Sequence, residues 1–249
     1  MRSWFFRLLL IGCLSSCRQP AEKVVYETKT DALYIQVPAS ETVADSRPSD
    51  FVRLADVVPD IIQEIRYYST YNFVGRRIPG YEAPEAWMTR RAADSLLAVS
   101  NELIPLGYRL KVFDAYRPQR AVDCFVQWSH AASDTLMKAY FYPNVPKSQL
   151  FQEGYISSRS AHTRGSTIDL TLFDMRTERE VDMGGTYDLL DPRSHPSYRE
   201  GLTEEQIAHR QLLCRVMMRH GYKPIATEWW HFYLADEPYP NSSFDFVIR

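Results

Sequence analysis

A chain of 249 residues with 45% hydrophobic content is long enough for one sizeable core, and no second composition regime argues for two. Its 29 basic and 31 acidic side chains leave a formal net charge of −2. With no basic surplus to neutralise phosphates, nucleic acid is not an expected partner.

The first residues read as a targeting segment. Arg2 and Arg7 flank an apolar start, and residues 8–14 form a hydrophobic run too short to span a bilayer. Leu14-Ser-Ser-Cys17 resembles the lipobox of bacterial lipoproteins, where signal cleavage leaves the cysteine acylated at a new N-terminus. Leu10-Ile-Gly-Cys13 is a competing match with a shorter apolar core, and an ordinary secretory signal with an incidental cysteine is the other reading. The expectation is a signal peptide over 1–16, a lipidated Cys17 with its tether over 17–50, and a folded body over 51–249. Such a protein is exported and held by lipid on a membrane, facing the periplasm or cell exterior. Cys124 and Cys214 remain in the body and are expected as two buried thiols rather than a bridge.

Residues 18–50 are polar, contain several prolines and lack a sustained period, apart from a short strand expected near residues 33–37. Ile65-Arg-Tyr-Tyr-Ser-Thr-Tyr-Asn-Phe-Val-Gly75 is dense in aromatics and reads as a wall or rim. Residues 89–106 form an amphipathic helix capped by Thr89, with Ala92, Leu96, Val99 and Leu103 at helical spacing. Residues 109–114 alternate as a strand, placing Asp114 on the face of Leu110 and Val112. Pro118 opens a second helix running to about residue 140. Asp114-Ala-Tyr-Arg117 therefore falls at a strand-to-helix turn, a usual position for residues that meet a ligand.

Residues 141–158 read as a loop and 167–173 as a strand, with Asp169 and Thr171 on one face. A straight strand would set His162 and Asp169 on opposite faces, so the chain is expected to bend at Gly165. Thr203-Glu-Glu-Gln206 is a capping box opening a third helix that ends at Gly221, with Ala208, Leu212, Leu213, Val216 and Met217 inward. Residues 222–226 and 230–234 close the chain as antiparallel strands. The fold class is α+β: a small, mainly antiparallel sheet with about three helices packed on it.

Two imidazoles and a carboxylate, His162, Asp169 and His231, make a three-ligand zinc site that leaves a fourth position open. Glu228, three residues before a ligand, is a candidate general base, expected on the turn before the strand that carries His231. Arg117 is the cation suited to a carbonyl oxygen gaining charge. From spacing alone a metal site and an incidental clustering are about equally supported.

Asp114-Ala-Tyr-Arg-Pro118, Ser160-Ala-His-Thr-Arg-Gly-Ser-Thr-Ile-Asp169 and Glu228-Trp-Trp-His-Phe232, in that order, resemble the D-alanyl-D-alanine dipeptidases of the vancomycin-resistance type. Those are zinc D-Ala-D-Ala peptidases, whose metal framework is shared with Hedgehog signalling domains. The resemblance runs from about residue 65 to 232 and implies a zinc site on the sheet with one Zn2+ per chain. It matches His162, Asp169 and His231 to the zinc ligands, Glu228 to the base, and Arg117 to the arginine steadying the substrate carbonyl. Asp188 matches an acid near the substrate ammonium, and Ser160 and Tyr68 match pocket residues. Ser194-His195 is a family-like pair expected to serve structure or pocket lining rather than metal. The activity implied is hydrolysis of D-Ala-D-Ala or related D-dipeptides, in cell-wall peptide turnover or scavenging rather than cytoplasmic resistance. The alternatives are a zinc carboxypeptidase or endopeptidase on peptidoglycan stem peptides, and a non-catalytic wall-binding module.

Overall fold

β1 (Phe51–Arg53) is the first strand within residues 47–249, the part of the chain that the computed structural model describes. The signal segment, Cys17 and the strand expected near residues 33–37 lie outside the described residues. After β1 come one helical turn, α1 (Leu54–Val57), then β2 (Ile62–Gln63) and β3 (Trp87–Thr89), which pairs antiparallel with β1. Thr89 caps α2 (Arg90–Leu103) by accepting from the Ala92 amide, as a threonine at a helix start should. Ala92, Leu96, Val99 and Leu103 are fully buried, so the spacing seen in the sequence is the packed face.

β4 (Tyr108–Asp114) leads to α3 (Gln119–His130), with Pro118 immediately outside the helix. The helix ends at His130, short of the expected residue 140. The Lys147 ammonium accounts for the stop: it donates to the carbonyls of Ala131 and Asp134, both at 2.7 Å, and lies 3.9 Å over the Trp128 ring. Carbonyls that a continuing helix would use are satisfied by that side chain and, at Ala131, by the Asp134 amide at 3.0 Å as well. A short helix, α4 (Lys138–Phe141), follows. Beyond α4 the segment expected as a loop holds one 3-10 turn, Lys147–Gln149, and is otherwise irregular, yet Phe141, Tyr142 and Leu150 are fully buried.

β5 (Thr167–Asp174), β6 (Arg179–Glu180), α5 (Glu204–Arg219), β7 (Tyr222–Pro224) and β8 (His231–Leu234) complete the fold. One sheet runs β2-β4-β5-β8-β7 with β6 beside β5, and only the β2–β4 pair is parallel. The capping box at Thr203 and Gln206 forms in both directions. On α5, Leu213, Val216 and Met217 are buried as expected. Ala208 is exposed and Arg210 is buried in the inner face instead. The half-buried Cys124 and Cys214 are both free thiols. The architecture is α+β.

Leu110 pairs with Leu172 and Val112 with Leu170, so these side chains share a buried face with Ile168 and Phe232. Beyond Val112 the register slips, and Asp114 pairs with Asp169. A bulge at Phe113 thus moves Asp114 off the Leu110 and Val112 face expected from alternation and onto the face of Asp169. His231 is the partner of Asp169 on the other side. Asp114, Asp169 and His231 therefore stand abreast on three neighbouring strands.

Candidate active site

His162 reaches these strands from a 3-10 turn, Ala161–Arg164. Ser160 caps that turn, its Oγ accepting from the His162 amide and its carbonyl accepting from the Thr163 hydroxyl at 2.8 Å. Gly165, at φ 79°, ends it in the left-handed region. A Cβ there would fall 2.2 Å from Cε1 of Phe51, so both conformation and space demand glycine. The bend expected at Gly165 is the feature that carries His162 to the Asp169 face.

The ligand atoms of His162, Asp169 and His231 all lie within 4.8 Å of one another. His162 Nε2 is 3.3 Å from Asp169 Oδ2 and 3.3 Å from His231 Nδ1, and His231 Nδ1 is 3.1 Å from Asp169 Oδ1. His162 Nδ1 donates to the Ala115 carbonyl at 2.7 Å, which fixes the tautomer and leaves Nε2 as the free electron pair. Burial pushes the His162 pKa down, favouring the neutral form that ligates metal. Burial alone would raise the Asp169 carboxyl. The neighbouring imidazoles, His162 and then His231, outweigh it and hold Asp169 below the usual carboxylate range.

A metal fits this cluster. Asp169 Oδ1 is fully buried without a hydrogen bond, an orphan lone pair that a cation would satisfy. Two imidazoles and an ionised carboxylate are a zinc donor set, and zinc is the cofactor, one ion per chain.

Glu228 sits on the turn before β8, its Oε2 3.5 Å from His231 Nδ1. Burial pushes its carboxyl up, to about 7. Arg117 donates from Nε to Asp114 Oδ2 at 2.8 Å, and its Nη2 lies 3.4 Å from Asp169 Oδ2. Its guanidinium is also 5.1 Å from the Tyr67 ring centroid and 5.4 Å from that of Phe125. Pairing with Asp114 and presence at the cluster are thus both true of Arg117. Asp114 Oδ1 accepts from the Tyr81 hydroxyl at 2.6 Å, so this fully buried carboxylate braces two site residues.

Asp188 also belongs to the site. It takes a left-handed backbone conformation, φ 60°, unusual outside glycine, and both its oxygens accept from the Tyr67 hydroxyl, at 3.2 and 2.9 Å. Burial, then the nearby Asp169 charge, push its carboxyl well above the usual range. The preceding Tyr187 donates to Asp169 Oδ2 at 3.2 Å and stacks on Phe113, the bulged residue. Consecutive residues thus support a metal ligand and present a second buried carboxylate.

Of the pocket residues expected from the sequence, Ser160 acts here as the cap of the His162 turn. Tyr68 is half-buried against the core with Arg77 6.0 Å from its ring, and its neighbour Tyr67 supplies the hydroxyl at Asp188. In the Ser194-His195 pair, the Ser194 hydroxyl donates to Leu189 O and the Trp229 amide donates to Ser194 O at 2.9 Å, while His195 Nε2 lies 3.3 Å from the Tyr155 hydroxyl. Tyr67, Tyr81 and Tyr187 are not evident from sequence, because a buried tyrosine with a polar task and one filling a core look alike in a single chain. Only the adjacency of Tyr187 to Asp188 offers a signal.

A cluster of two histidines and a carboxylate, two of them on the sheet and one on the turn beside it, flanked by a buried acid and a guanidinium, fits a metal-dependent peptidase. The comparisons agree. A family model described as D-ala-D-ala dipeptidase matches residues 47–249. A D-alanyl-D-alanine dipeptidase of Enterococcus faecium is 38% identical over 80% of this chain and 98% of its own length. One of Streptomyces coelicolor is 39% identical over the same shares, and one of Escherichia coli is 31% identical over 76% and 86%. The chain belongs to the D-ala-D-ala dipeptidase family of metallopeptidases.

Proposed function

We propose that this enzyme hydrolyses D-alanyl-D-alanine or a related free D-dipeptide to its two amino acids. The observation that carries this reading is the buried carboxylate at Asp188, 6% exposed and held by Tyr67, one residue on from the tyrosine that touches Asp169. A free dipeptide brings an ammonium group that can ionise and pair with such a carboxylate. An internal residue of a stem peptide brings an amide there, which leaves the acid unpaired. The dipeptidases of Enterococcus faecium and Streptomyces coelicolor are matched over 98% of their own length, which supports the same substrate class.

In this reading His162, Asp169 and His231 hold the metal. Bound zinc supplies Lewis acidity toward the scissile carbonyl and acidifies water. Glu228, raised by burial into the range where a carboxylate exchanges protons near neutrality, takes the proton of the attacking water and passes it to the leaving amine. Arg117 is held through Nε by Asp114, and its Nη2 edge steadies the carbonyl oxygen as charge develops. Asp188 receives the substrate ammonium and excludes longer chains on that side.

The test compares free D-Ala-D-Ala with an N-acylated tripeptide ending in D-Ala-D-Ala. Rapid cleavage of the dipeptide and little of the tripeptide is expected. The reverse order would move the enzyme to stem-peptide trimming, and binding without hydrolysis would make it a wall-binding module. The Leu14-Ser-Ser-Cys17 pattern supports export and a lipid anchor at Cys17, which suits wall-peptide turnover or scavenging. Cys17→Ala is then expected to move the protein from the membrane fraction to the soluble one.

A further inference from the structure

Arg210 has no part in the chemistry described above, yet its side chain is 95% buried on the inner face of α5. Its partners are carbonyls. Nε donates to Met183 O at 2.6 Å, and Nη1 to Arg193 O at 3.1 Å and His195 O at 3.4 Å. Met183 and the Arg193–His195 pair are the two ends of the segment that carries Tyr187 and Asp188. One guanidinium therefore staples that segment shut at its base. Arg193 adds a second tie inside it, its Nε donating to Gly184 O.

The same guanidinium reaches the other side of the site. Its Cζ lies 5.7 Å from the Trp229 ring centroid, and Trp229 directly follows Glu228. The Trp229 amide donates to Ser194 O, inside the stapled segment. Burial, with the charges of Arg193 and Arg199 next, pulls the Arg210 pKa down to about 10, so the group stays cationic at neutral pH. A buried cation answered by carbonyls is costly for a helix that apolar residues would pack as well. Only a planar fork reaches three carbonyls that diverge in this way.

We propose that Arg210 is a positioning residue that sets the reach of Asp188 toward the substrate amine and keeps the Asp188 segment in register with the Glu228 turn. The inference rests on the reading of Asp188 as the ammonium group. It differs from a merely structural role because it assigns Arg210 to substrate selection, through a residue it does not touch.

The test uses the zinc-loaded full chain with Arg210→Lys and Arg210→Met, each assayed on D-Ala-D-Ala and on N-acetyl-D-Ala-D-Ala. Zinc content and thermal melting are measured alongside. The unaltered enzyme is expected to prefer the free dipeptide. In Arg210→Lys, KM for the free dipeptide is expected to rise about tenfold and the preference over the acetylated form to shrink about as much, with kcat changed less and zinc retained. Arg210→Met is expected to go further, with the lysine variant a partial rescue. Should the methionine variant not fold, the lysine variant decides alone, since it keeps the charge and loses the fork. A folded, zinc-loaded lysine variant with unchanged KM and unchanged preference overturns the role of Arg210. An unaltered enzyme that treats both dipeptides alike overturns the reading of Asp188, and this inference with it.

Discussion

At the scale of single residues, the site is a set of buried groups each held in one protonation state or orientation by its neighbours. Glu228 illustrates the first. Replacing it with glutamine keeps the shape and removes the proton acceptor, so Glu228→Gln is expected to bind a full equivalent of zinc and lose about 10²–10⁴-fold in kcat. Metal analysis and steady-state kinetics check this, and near-normal turnover would remove Glu228 from its role. Asp114 illustrates the second. Its carboxylate is fully buried between the Arg117 guanidinium and the Tyr81 hydroxyl. Asp114→Ala strands a largely buried cation, with an expected stability loss of about 3–5 kcal/mol by denaturant unfolding and a lower kcat. An Asp114→Ala protein as stable as the parent would show that Arg117 is held by other groups.

At the scale of elements, the site depends on two local irregularities, and only one of them was visible in the sequence. Gly165 was visible, because two expected ligands seven residues apart on a straight strand cannot face the same way. Gly165→Ala forces a left-handed alanine into the Phe51 ring, and the expected result is a protein with a lower Tm and weakened zinc binding, read by melting and metal titration. An alanine variant with unchanged zinc affinity would mean that the His162 turn forms without that bend. The bulge at Phe113 was hidden. Val-Phe-Asp alternates no differently from a regular strand, and the slip exists because Asp114 and the stacked Phe113–Tyr187 pair are accommodated together on the site face. The end of α3 at His130 was hidden for a related reason, since the lysine that stops it lies far along the chain. Thr89, the capping box at Thr203 and the core spacing of α2 were legible because those signals act within a few residues. Arg210 is not legible in the sequence, because a charged residue on an apolar face reads as an interruption of the pattern.

At the scale of the whole molecule, the metal site is closed by a segment distant in sequence from every ligand but His231. The Phe244 amide donates to Thr163 O at 3.0 Å beside His162, and Phe246 stacks on Tyr116 at 3.9 Å beside Arg117. The Ile248 amide donates to Gly80 O at 2.9 Å, next to the tyrosine that holds Asp114. Removing residues 244–249 is therefore expected to lower Tm and weaken zinc binding about tenfold or more, although none of those residues is a ligand. A truncated chain that titrates zinc like the intact one would show the strap to be dispensable. The central claim is that His162, Asp169 and His231 gather one zinc ion for dipeptide hydrolysis. Its most direct measurement is release of free D-alanine from D-Ala-D-Ala before chelation, after chelation, and after one equivalent of zinc is restored. Release is expected to be abolished by the chelator and recovered with zinc. Undiminished release from metal-free protein, or none from the zinc-loaded enzyme, would contradict it.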